Sequence, residues 1–370
     1  MKLALAIVSL FPGGGLQRDC MAIARLLDAQ GHEVTIFTSR LEGGAGGDLQ
    51  VEVLPVLAFT NHGRNIAFSR AIARRCAGQF DRIVGFDKLE GLDVLYCADL
   101  PVAPRYQTRL SRILPRGRKL LLLERACFAR ESRTKVLLLS QPQVDAYRAS
   151  WDTQAEHIAL LPPTINPQRR KPQLRTDGTR KWMREEMAMG ENGWLWLAVG
   201  SQLRVKGIDR TLEALELFSD ARLAIAGIGP SSKAARQFAR MARKRGVAGR
   251  VRLLGVREDI PELMAAADLL VHPARTETTG TVILEAIVNG LPVIASAVCG
   301  YAEHIAKAEA GLVLAEPFAQ GRFAEKLREA MDAQRVERWS ENAKRYGETA
   351  DIYRGLPRAA AQIVEHRIAL

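Results

Sequence analysis

The chain has 370 residues and a formal net charge of +12, and 47% of its residues are hydrophobic and 25% charged. This composition is typical of a globular protein and excludes a disordered or fibrous chain. The length is too great for one ordinary hydrophobic core and suits two domains. No uninterrupted apolar stretch reaches about 18 residues, so the sequence predicts no transmembrane span. The five cysteines show no paired or metal-like spacing, and we expect reduced thiols in the core of a cytoplasmic protein.

Strand-like and helical segments alternate through the first half of the chain. Strands are predicted at 3–10, 32–38, 51–57, 82–86, 94–97 and 134–140, and helices at 15–30 and 65–79. This alternation is typical of a parallel sheet with crossover helices. A stretch with three prolines, 160–167, precedes the polar run 168–181, so we end the first domain at residue 163.

The alternation starts again in the second half, which predicts a second domain over 164–349. Strands are predicted at 194–199, 222–226, 251–254 and 266–271, and helices at 207–216, 232–246 and 260–267. The sequence therefore indicates an α/β protein of two Rossmann-like, doubly wound domains that face a cleft. Ligands are expected at the carboxyl ends of both sheets.

The positive charge is concentrated in 104–135, which we call the basic segment; it contains ten Lys or Arg and two Glu, a net charge of +8. The ten cations are Arg105, Arg109, Arg112, Arg116, Arg118, Lys119, Arg125, Arg130, Arg133 and Lys135. Interleaved leucines add apolar content, and the two together are typical of a surface that lies on an anionic membrane. A helix with a solvated basic face and a buried apolar face explains the composition equally well. Nucleic acid is a third candidate, but aromatic residues for base stacking are scarce here, and we predict no nucleic-acid partner.

Two carboxylates, Glu277 and Glu285, stand eight residues apart around a glycine-containing turn. A predicted strand leads into this turn, and 282–287 is predicted to begin a helix, with the hydroxyls of 278–281 as caps. The N-terminus of a helix that starts near Gly280 stabilises a diphosphate through its free N–H groups and its positive dipole end. Either both carboxylates are ordinary solvated acids, or they bind hydroxyls at opposite ends of a nucleotide sugar.

The pattern of Glu, seven residues and Glu is followed by a turn that contains Gly290 and Pro292. It resembles the donor-binding signature of family 4 of the retaining, nucleotide-sugar glycosyltransferases, which have the two-Rossmann B-type fold. The resemblance implies a UDP-sugar donor and a C-terminal helix, about 350–370, that crosses back to the first domain. It also implies that Glu285 binds the donor ribose and Glu277 the transferred sugar.

A loop after the first predicted strand of the second domain carries two cations, Arg204 and Lys206, directly before Gly207. They either form an exposed basic loop or balance the charge of a diphosphate as its bond to the sugar breaks, a task that metal ions perform elsewhere. In the resembling family an Arg and a Lys before a glycine have this second role. The Arg usually follows the loop's first glycine, where this chain has Ser201, so Arg204 substitutes. The chain has no DxD triplet in a strand-end loop, so we expect a metal-independent enzyme without a cofactor.

A triple glycine, Gly13 to Gly15, follows the first predicted strand and leads into a helix that carries Asp19. Glycines let the backbone approach a ligand closely, although a tight turn between strand and helix explains them as well. The loop lacks the GxGxxG pattern, so a nicotinamide site is not supported. The family's corresponding loop lies against the donor's phosphates and sugar, and a polar group at the place of Asp99 touches the transferred sugar. The catalytic candidates are Glu277, Asp19 and Asp99.

The resemblance assigns the remaining donor contacts to both domains, with Arg257 near the pocket for the nucleotide base. The predicted donor-binding residues are Gly14, Gly15, Arg204, Lys206, Arg257, Thr279, Gly280, Thr281 and Glu285. Two polar loops, 61–65 and 86–93, are candidates for acceptor recognition, with structural capping as the alternative. Among them His62, Arg64 and Lys88 are the predicted acceptor contacts, because Arg and Lys suit phosphate groups.

Several stretches resemble a narrower subgroup, the bacterial glucosyltransferases of the lipopolysaccharide core. They are 14–19, 61–65, 85–88, 91–94, 161–163 and 297–302. The subgroup implies transfer of glucose from UDP-glucose, with retention, to a heptose of a lipid-anchored core oligosaccharide. It also implies a place on the cytoplasmic face of the inner membrane, with the basic segment on the anionic surface. Transfer of another UDP-sugar or to another core acceptor, a two-Rossmann UDP-sugar epimerase, and a non-catalytic sugar-nucleotide binder remain the alternatives.

Overall fold

The computed structural model describes residues 1–12, 14–190, 193–229 and 231–365, with the side chain of Arg109 excepted. The chain forms two compact units. Unit 1 comprises Met1–Pro163 and the chain from Arg354 onwards, and unit 2 comprises Thr164–Tyr353. The division after Pro163 lies inside the proline-rich stretch 160–167.

Unit 1 contains a parallel sheet of seven strands and six α-helices among the described residues. The strands are β1 (Lys2–Ile7), β2 (Glu33–Thr38), β3 (Gln50–Val53), β4 (Arg82–Gly85), β5 (Val94–Cys97), β6 (Lys135–Leu138) and β7 (Ile158–Leu160). The helices are α1 (Gly15–Ala29), α2 (Asn61–Cys76), α3 (Arg109–Ile113), α4 (Pro115–Phe128), α5 (Gln141–Trp151) and, after unit 2, α14 (Gly355–Glu365). The helix that returns to unit 1 packs against α1, and residues 366–370 of the predicted helix lie outside the described residues.

The strand order in unit 1 is β3-β2-β1-β4-β5-β6-β7. Both faces of β1 are covered, because Leu3, Leu5 and Ile7 pack with α1 and α14 on one side while Ala4 and Ala6 pack on the other. A strand buried on both faces is apolar throughout, which explains the continuous apolar run at the start of the sequence. The order reverses between β1 and β4, so ligands are expected at the carboxyl ends of these two strands.

The segment 61–65, which we expected to be a loop, is the first turn of α2. The Thr60 side chain accepts a hydrogen bond from the Gly63 N–H at 3.1 Å and caps the helix. This cap satisfies a backbone donor that has no partner inside the helix, and so it starts the helix four residues earlier than predicted.

The basic segment folds into α3 and α4, which pack against each other. Leu123, Cys127 and Phe128 of α4 are buried in unit 1, whereas Leu122 is exposed. The leucines therefore divide between core and surface because they lie at different angles around the helix. Among the described residues no helix is long and apolar enough to cross a membrane.

The described residues of unit 2 form a parallel sheet of six strands. The strands are β8 (Trp194–Val199), β9 (Ala221–Ala226), β10 (Val251–Gly255), β11 (Leu269–His272), β12 (Val293–Ser296) and β13 (Gly311–Leu314). The helices are α6 (Thr179–Glu186), α7 (Ile208–Ala214), α8 (Lys233–Lys244), α9 (Ile260–Ala266), α10 (Thr281–Val288), α11 (Glu303–Lys307), α12 (Gln320–Ala330) and α13 (Ala333–Thr349). The order β10-β9-β8-β11-β12-β13 reverses between β8 and β11.

All five cysteines are buried free thiols, which confirms the prediction that they belong to the core. Burial raises the pKa of the Cys299 thiol to about 12, with the nearby Glu277 carboxylate adding to the shift. Such a thiol stays protonated at neutral pH and is not a nucleophile.

Candidate active site

In unit 2 the side chains of Lys206 and Glu277 meet at the point where the strand order reverses. Lys206 lies in the loop after β8, and Glu277 lies in the loop after β11. The Lys206 ammonium donates a hydrogen bond to Glu277 Oε2, and the Nε2 of the buried His272 lies 3.3 Å from the same oxygen. Burial by itself raises the pKa of Glu277, but the hydrogen bond with His272 and the charge of Lys206 outweigh it and hold this pKa below its usual value. The site therefore presents an ionised carboxylate paired with a cation.

The loop after β8 is held tightly against the loop after β11. Gly207 has φ +69°, and a Cβ at this position would lie 1.9 Å from the Pro273 carbonyl oxygen. Only glycine fits here, because any side chain would collide with that carbonyl. The Arg275 N–H also donates to the Val205 carbonyl at 2.8 Å. These contacts fix the backbone on both sides of Lys206.

Helix α10 begins directly beside Glu277. Its N-cap is Gly280, with φ +87° and no side-chain capping bond, so the N-cap position itself carries no hydroxyl. The backbone holds the turn, since the Tyr301 N–H donates to the Thr279 carbonyl at 2.7 Å. Thr281 is the first residue of the helix and is exposed. Free N–H groups of the first turn thus lie next to the Lys206–Glu277 pair.

Glu285 lies one turn further along α10, and its side chain is 17% exposed. The Arg169 guanidinium lies 3.6 Å from its carboxylate. Asn289 holds the two residues together, because its amide nitrogen donates to the Arg169 carbonyl at 2.9 Å and to the Glu285 carbonyl at 2.8 Å. A ligand that hydrogen-bonds Glu285 therefore meets a carboxylate that already has a cationic neighbour.

Two further predicted donor residues have different surroundings. Arg204 is exposed in the loop that carries Lys206. Arg257 lies after β10 and forms ion pairs with Asp259 at 2.5 Å and with Glu186 at 3.1 Å. These two carboxylates balance its charge inside unit 2, and the hydrogen bonds with Asp259 raise the pKa of Arg257.

In unit 1 the predicted residues Gly14, Gly15 and Asp19 lie at the start of α1, while Gly13 lies outside the described residues. Gly14 is the N-cap of α1, and Gly15 is its first residue. The Tyr96 hydroxyl donates a hydrogen bond to the Asp19 carboxylate at 2.8 Å. Burial nevertheless raises the pKa of Asp19. Because α1 follows β1, the Asp19 carboxylate lies at the carboxyl end of the sheet, next to the point where the strand order reverses.

Asp87, Lys88 and Asp99 lie together in the loops after β4 and β5. Asp87 accepts a hydrogen bond from the Val8 N–H at 2.7 Å, and burial raises its pKa to about 6. Lys88 is only 11% exposed, and its ammonium lies 3.0 Å from Glu124 and 4.0 Å from Asp99. The Asp99 carboxylate is largely exposed. Of the two loops, Asp99 is thus the group open to a ligand, whereas Lys88 is committed to a buried partner.

The fully buried Glu124 of α4 organises this end of unit 1. Its carboxylate accepts hydrogen bonds from the Val102 and Ala103 N–H groups at 2.8–3.0 Å, and from the Trp151 indole and the Lys88 ammonium at 3.0 Å. Sequence reasoning treated this residue only as a charge that opposes the basic segment. No local pattern reveals its role, because the partners come from three other parts of the chain.

The predicted acceptor residues His62 and Arg64 lie in the first turn of α2 and are partly exposed. The Arg64 guanidinium donates to the Asn61 side chain at 3.4 Å. Sequence reasoning missed His272 and Arg169, which contact the two glutamates. His272 ends β11, five residues before Glu277, and this position at the sheet edge could have identified it.

Among the described residues there is no group of three or more His, Cys, Asp or Glu side chains that could hold a metal ion. The absence of a metal requirement stays a prediction, because a metal ion can also arrive bound to a substrate.

Comparisons with known proteins identify the family to which the chain belongs. The sequence matches the family model described as glycosyl transferases group 1 over residues 180–346, and the model of glycosyltransferase family 4 over residues 13–169. It is 38% identical over 372 residues to the lipopolysaccharide glucosyltransferase WaaG of Escherichia coli (strain K12), which covers 98% of both chains. It is also 28% identical over 215 residues to the alpha-D-kanosaminyltransferase of Streptomyces kanamyceticus, 56% of this chain and 54% of that protein.

Solved structures show the same fold. The crystal structure of WaaG, a glycosyltransferase involved in lipopolysaccharide biosynthesis, matches 98% of this chain and 100% of that chain with a TM-score of 0.88. The complex of Anabaena Alr3699/HepE with UDP-glucose matches 99% of this chain and 98% of that chain with a TM-score of 0.75 at 18% identity, which shows the fold alone. The prediction of two Rossmann-like domains of the B-type glycosyltransferase fold is confirmed. The chain therefore belongs to the family of glycosyltransferases that contains the lipopolysaccharide glucosyltransferase WaaG of Escherichia coli, and it is a hexosyltransferase.

Proposed function

We propose that this enzyme transfers glucose from UDP-glucose, with retention and without a metal ion, to a heptose of the lipopolysaccharide inner core. The observation that carries the proposal is the Lys206–Glu277 pair beside the first turn of α10. The name of the relative WaaG supports glucose as the sugar and lipopolysaccharide as the acceptor. Incubation of the enzyme with UDP-glucose and heptose-terminated core should give an α-linked glucosyl product. Release of a new UDP-sugar without acceptor would indicate an epimerase instead.

In the proposed donor complex the diphosphate lies over the N-terminus of α10. The N–H groups of Gly280 and Thr281 and the ammonium of Lys206 stabilise the negative charge that grows as the bond to glucose breaks. Lys206 has three donor hydrogens, so it can bind the phosphate and still contact Glu277. Arg204 is exposed in the same loop and supplies a second cation.

The two glutamates bind the two ends of the donor in this proposal. Glu277 accepts hydrogen bonds from hydroxyls of the glucose, which its ionised state favours. Glu285 accepts them from the ribose, beside Arg169. The acceptor hydroxyl attacks on the face from which the diphosphate leaves, and the leaving phosphate takes its proton. This route needs no separate nucleophile and acid, and we identify no such pair in the sequence.

The first prediction separates the roles of Glu277 and Glu285. Glu285→Ala should weaken binding of UDP itself by roughly 10–100-fold, because a hydrogen bond to a charged group is lost. Glu277→Ala should leave the affinity for UDP nearly intact, weaken UDP-glucose and lower turnover. Isothermal titration with UDP and with UDP-glucose measures both effects.

The control for this pair is Glu303→Ala, which removes an exposed acid that pairs with Lys307 on α11. It should leave both affinities unchanged. Equal affinity for UDP in the parent and in Glu285→Ala would refute the ribose contact.

The second prediction is that transfer continues in excess EDTA, because Lys206 and the α10 N-terminus take the part of a metal ion. Initial rates with and without the chelator should agree within a factor of about two, since no bound metal is removed. Loss of activity that Mn²⁺ or Mg²⁺ restores would refute the metal-free mechanism.

We also propose that the enzyme works in the cytoplasm, attached to the inner membrane through the basic segment. The supporting observation is its exposed charge: Arg105, Arg112, Arg116 and Arg118 are exposed, and Arg125 and Arg130 pair with Glu131 and Asp152. Each Lys or Arg near an anionic membrane contributes about 1 kcal/mol of binding free energy. Several unpaired cations together hold the protein on such a surface reversibly.

The third prediction tests this attachment. The parent should sediment with vesicles that contain anionic lipid, and not with zwitterionic vesicles, and the bound fraction should fall as salt rises. Replacement of Arg109, Arg112, Arg116 and Arg118 by Ser should release the protein without loss of UDP binding. A control in which four exposed cations of unit 2 are replaced, Lys233, Arg236, Arg240 and Arg243, should bind like the parent. If the first quadruple variant sediments as well as the parent, the basic segment is not the membrane contact.

A further inference from the structure

The connection between β3 and α2 exposes two large apolar side chains. Leu57 and Phe59 are both fully exposed, and they flank the partly buried Ala58. The next residue, Thr60, caps α2, so the end of this connection is held by the helix. Exposed apolar side chains that stand together mark a surface that binds something apolar.

The same connection lies beside the basic segment. A Cβ added at Gly63 would lie 3.6 Å from the Ala58 Cβ and 3.7 Å from the Lys119 ammonium of α4. Ala58 and Lys119 therefore border one small space, and α2 packs against α4. Leu57 and Phe59, on either side of Ala58, therefore emerge on the surface of unit 1 close to α4.

The basic segment has its own exposed apolar side chains. Four large apolar side chains are exposed here: Leu110, Ile113, Leu114 and Leu122. They alternate along the chain with the exposed Arg112, Arg116 and Arg118. Within α4, Arg118, Leu122 and Arg125 lie four and three residues apart, so they form one exposed stripe. Cations and apolar groups are mixed on this surface in the way that an interfacial helix requires.

We propose that Leu57 and Phe59 insert into an anionic bilayer next to the basic segment and form a second, hydrophobic membrane contact. This inference rests on the membrane attachment proposed above and deepens it. The neighbouring positive charge favours an anionic lipid surface, because the lipid charge attracts the basic segment. A second copy of this chain would bring its own basic segment and be repelled. The stable arrangement at such an interface has cations at the level of the lipid headgroups and apolar side chains below them.

The contact also orients the active site of unit 1. The connection follows β3, so it leaves the sheet at the carboxyl ends of its parallel strands, the edge at which Asp19 and Asp99 also lie. Insertion of Leu57 and Phe59 would bring this edge to the bilayer. A sugar acceptor anchored in the same bilayer would then meet these carboxylates close to the surface.

The test uses a fluorescent label at residue 59. All five native cysteines are buried, so Phe59→Cys can be labelled selectively with the environment-sensitive dye NBD. We expect a blue shift and a rise of NBD emission with vesicles of phosphatidylglycerol and phosphatidylcholine, and quenching by nitroxide-labelled lipid. NBD at Leu217→Cys, an exposed apolar position in unit 2, should show neither effect.

A second measurement uses the unlabelled protein. The double variant Leu57→Ser, Phe59→Ser should lower the partition coefficient onto anionic vesicles about tenfold or more, because two large apolar side chains no longer leave water. The loss should persist at high salt, unlike the loss caused by the arginine replacements. Affinity for UDP should not change.

The outcomes separate this inference from the proposal on which it rests. If the parent binds the vesicles but the label at residue 59 stays in water and the double variant binds equally well, the insertion is refuted and the electrostatic attachment stands. If the parent does not bind anionic vesicles at all, both are refuted. If the parent is a dimer that the double variant dissociates, a second copy is the occupant and the insertion is refuted.

Discussion

Lys206→Ala should lower kcat by roughly 30–1,000-fold, which corresponds to about 2–4 kcal/mol of lost transition-state stabilisation. Lys206 is the cation that contacts Glu277, and its place beside α10 puts it where charge grows on the leaving diphosphate. The substitution also leaves Glu277, which is only 12% exposed, without its cationic partner. Steady-state kinetics with UDP-glucose and the core acceptor measure the loss.

Two variants serve as controls for Lys206→Ala. Lys206→Arg keeps the charge and should retain more activity than the alanine variant. Arg204→Ala removes an exposed cation of the same loop and should cost less, because water screens its charge. A turnover of Lys206→Ala within threefold of the parent, with an unchanged melting temperature, would contradict the role assigned to Lys206.

Glu124→Ala should destabilise the protein by about 3–5 kcal/mol, because it leaves the ammonium of Lys88 buried without its charge partner. The Val102 and Ala103 N–H groups and the Trp151 indole lose their acceptor as well. For a domain of this size the melting temperature should fall by at least about 6 °C. Differential scanning calorimetry measures this decrease.

A double substitution separates the charge from the packing. Glu124→Leu combined with Lys88→Met removes both buried charges, so it should be more stable than Glu124→Leu alone, which leaves the Lys88 ammonium buried. Glu131→Ala removes an exposed acid that pairs with Arg125 and should leave the melting temperature unchanged. If Glu124→Ala melts within 2 °C of the parent, Glu124 does not organise this end of unit 1.

Much of the fold follows from local patterns. The apolar runs of β1 and β8 are continuous because both faces of each sheet are covered, and their alternation with helices determines a parallel sheet. The predicted start of a helix was wrong where a residue outside the apolar pattern determines the first helical residue. Thr60 starts α2 before its apolar pattern begins, and Gly280, which has no hydroxyl, occupies the N-cap of α10.

The candidate site was found from sequence only as far as its groups stand close together in the chain. Glu277, Gly280 and Glu285 belong to one strand–turn–helix unit, so their spacing alone indicates that they share a surface. The acceptor residues were harder to judge. From the sequence, Lys88 and Arg64 are equally suitable cations for an acceptor phosphate. Only the fold shows that Lys88 is buried beside Glu124.

The sequence by itself determined two α/β domains, their glycosyltransferase signature and the charge of the basic segment, because these depend on composition, period and short spacings. The tertiary structure decided which side chains meet. Lys206 reaches Glu277 because the order of strands brings the loops after β8 and β11 together, and Arg169 reaches Glu285 because Asn289 binds the backbone of both. It also placed Ala58, which stands between Leu57 and Phe59, and Lys119 around the same space beside Gly63. Such contacts join residues far apart in the chain, so no local period or spacing records them.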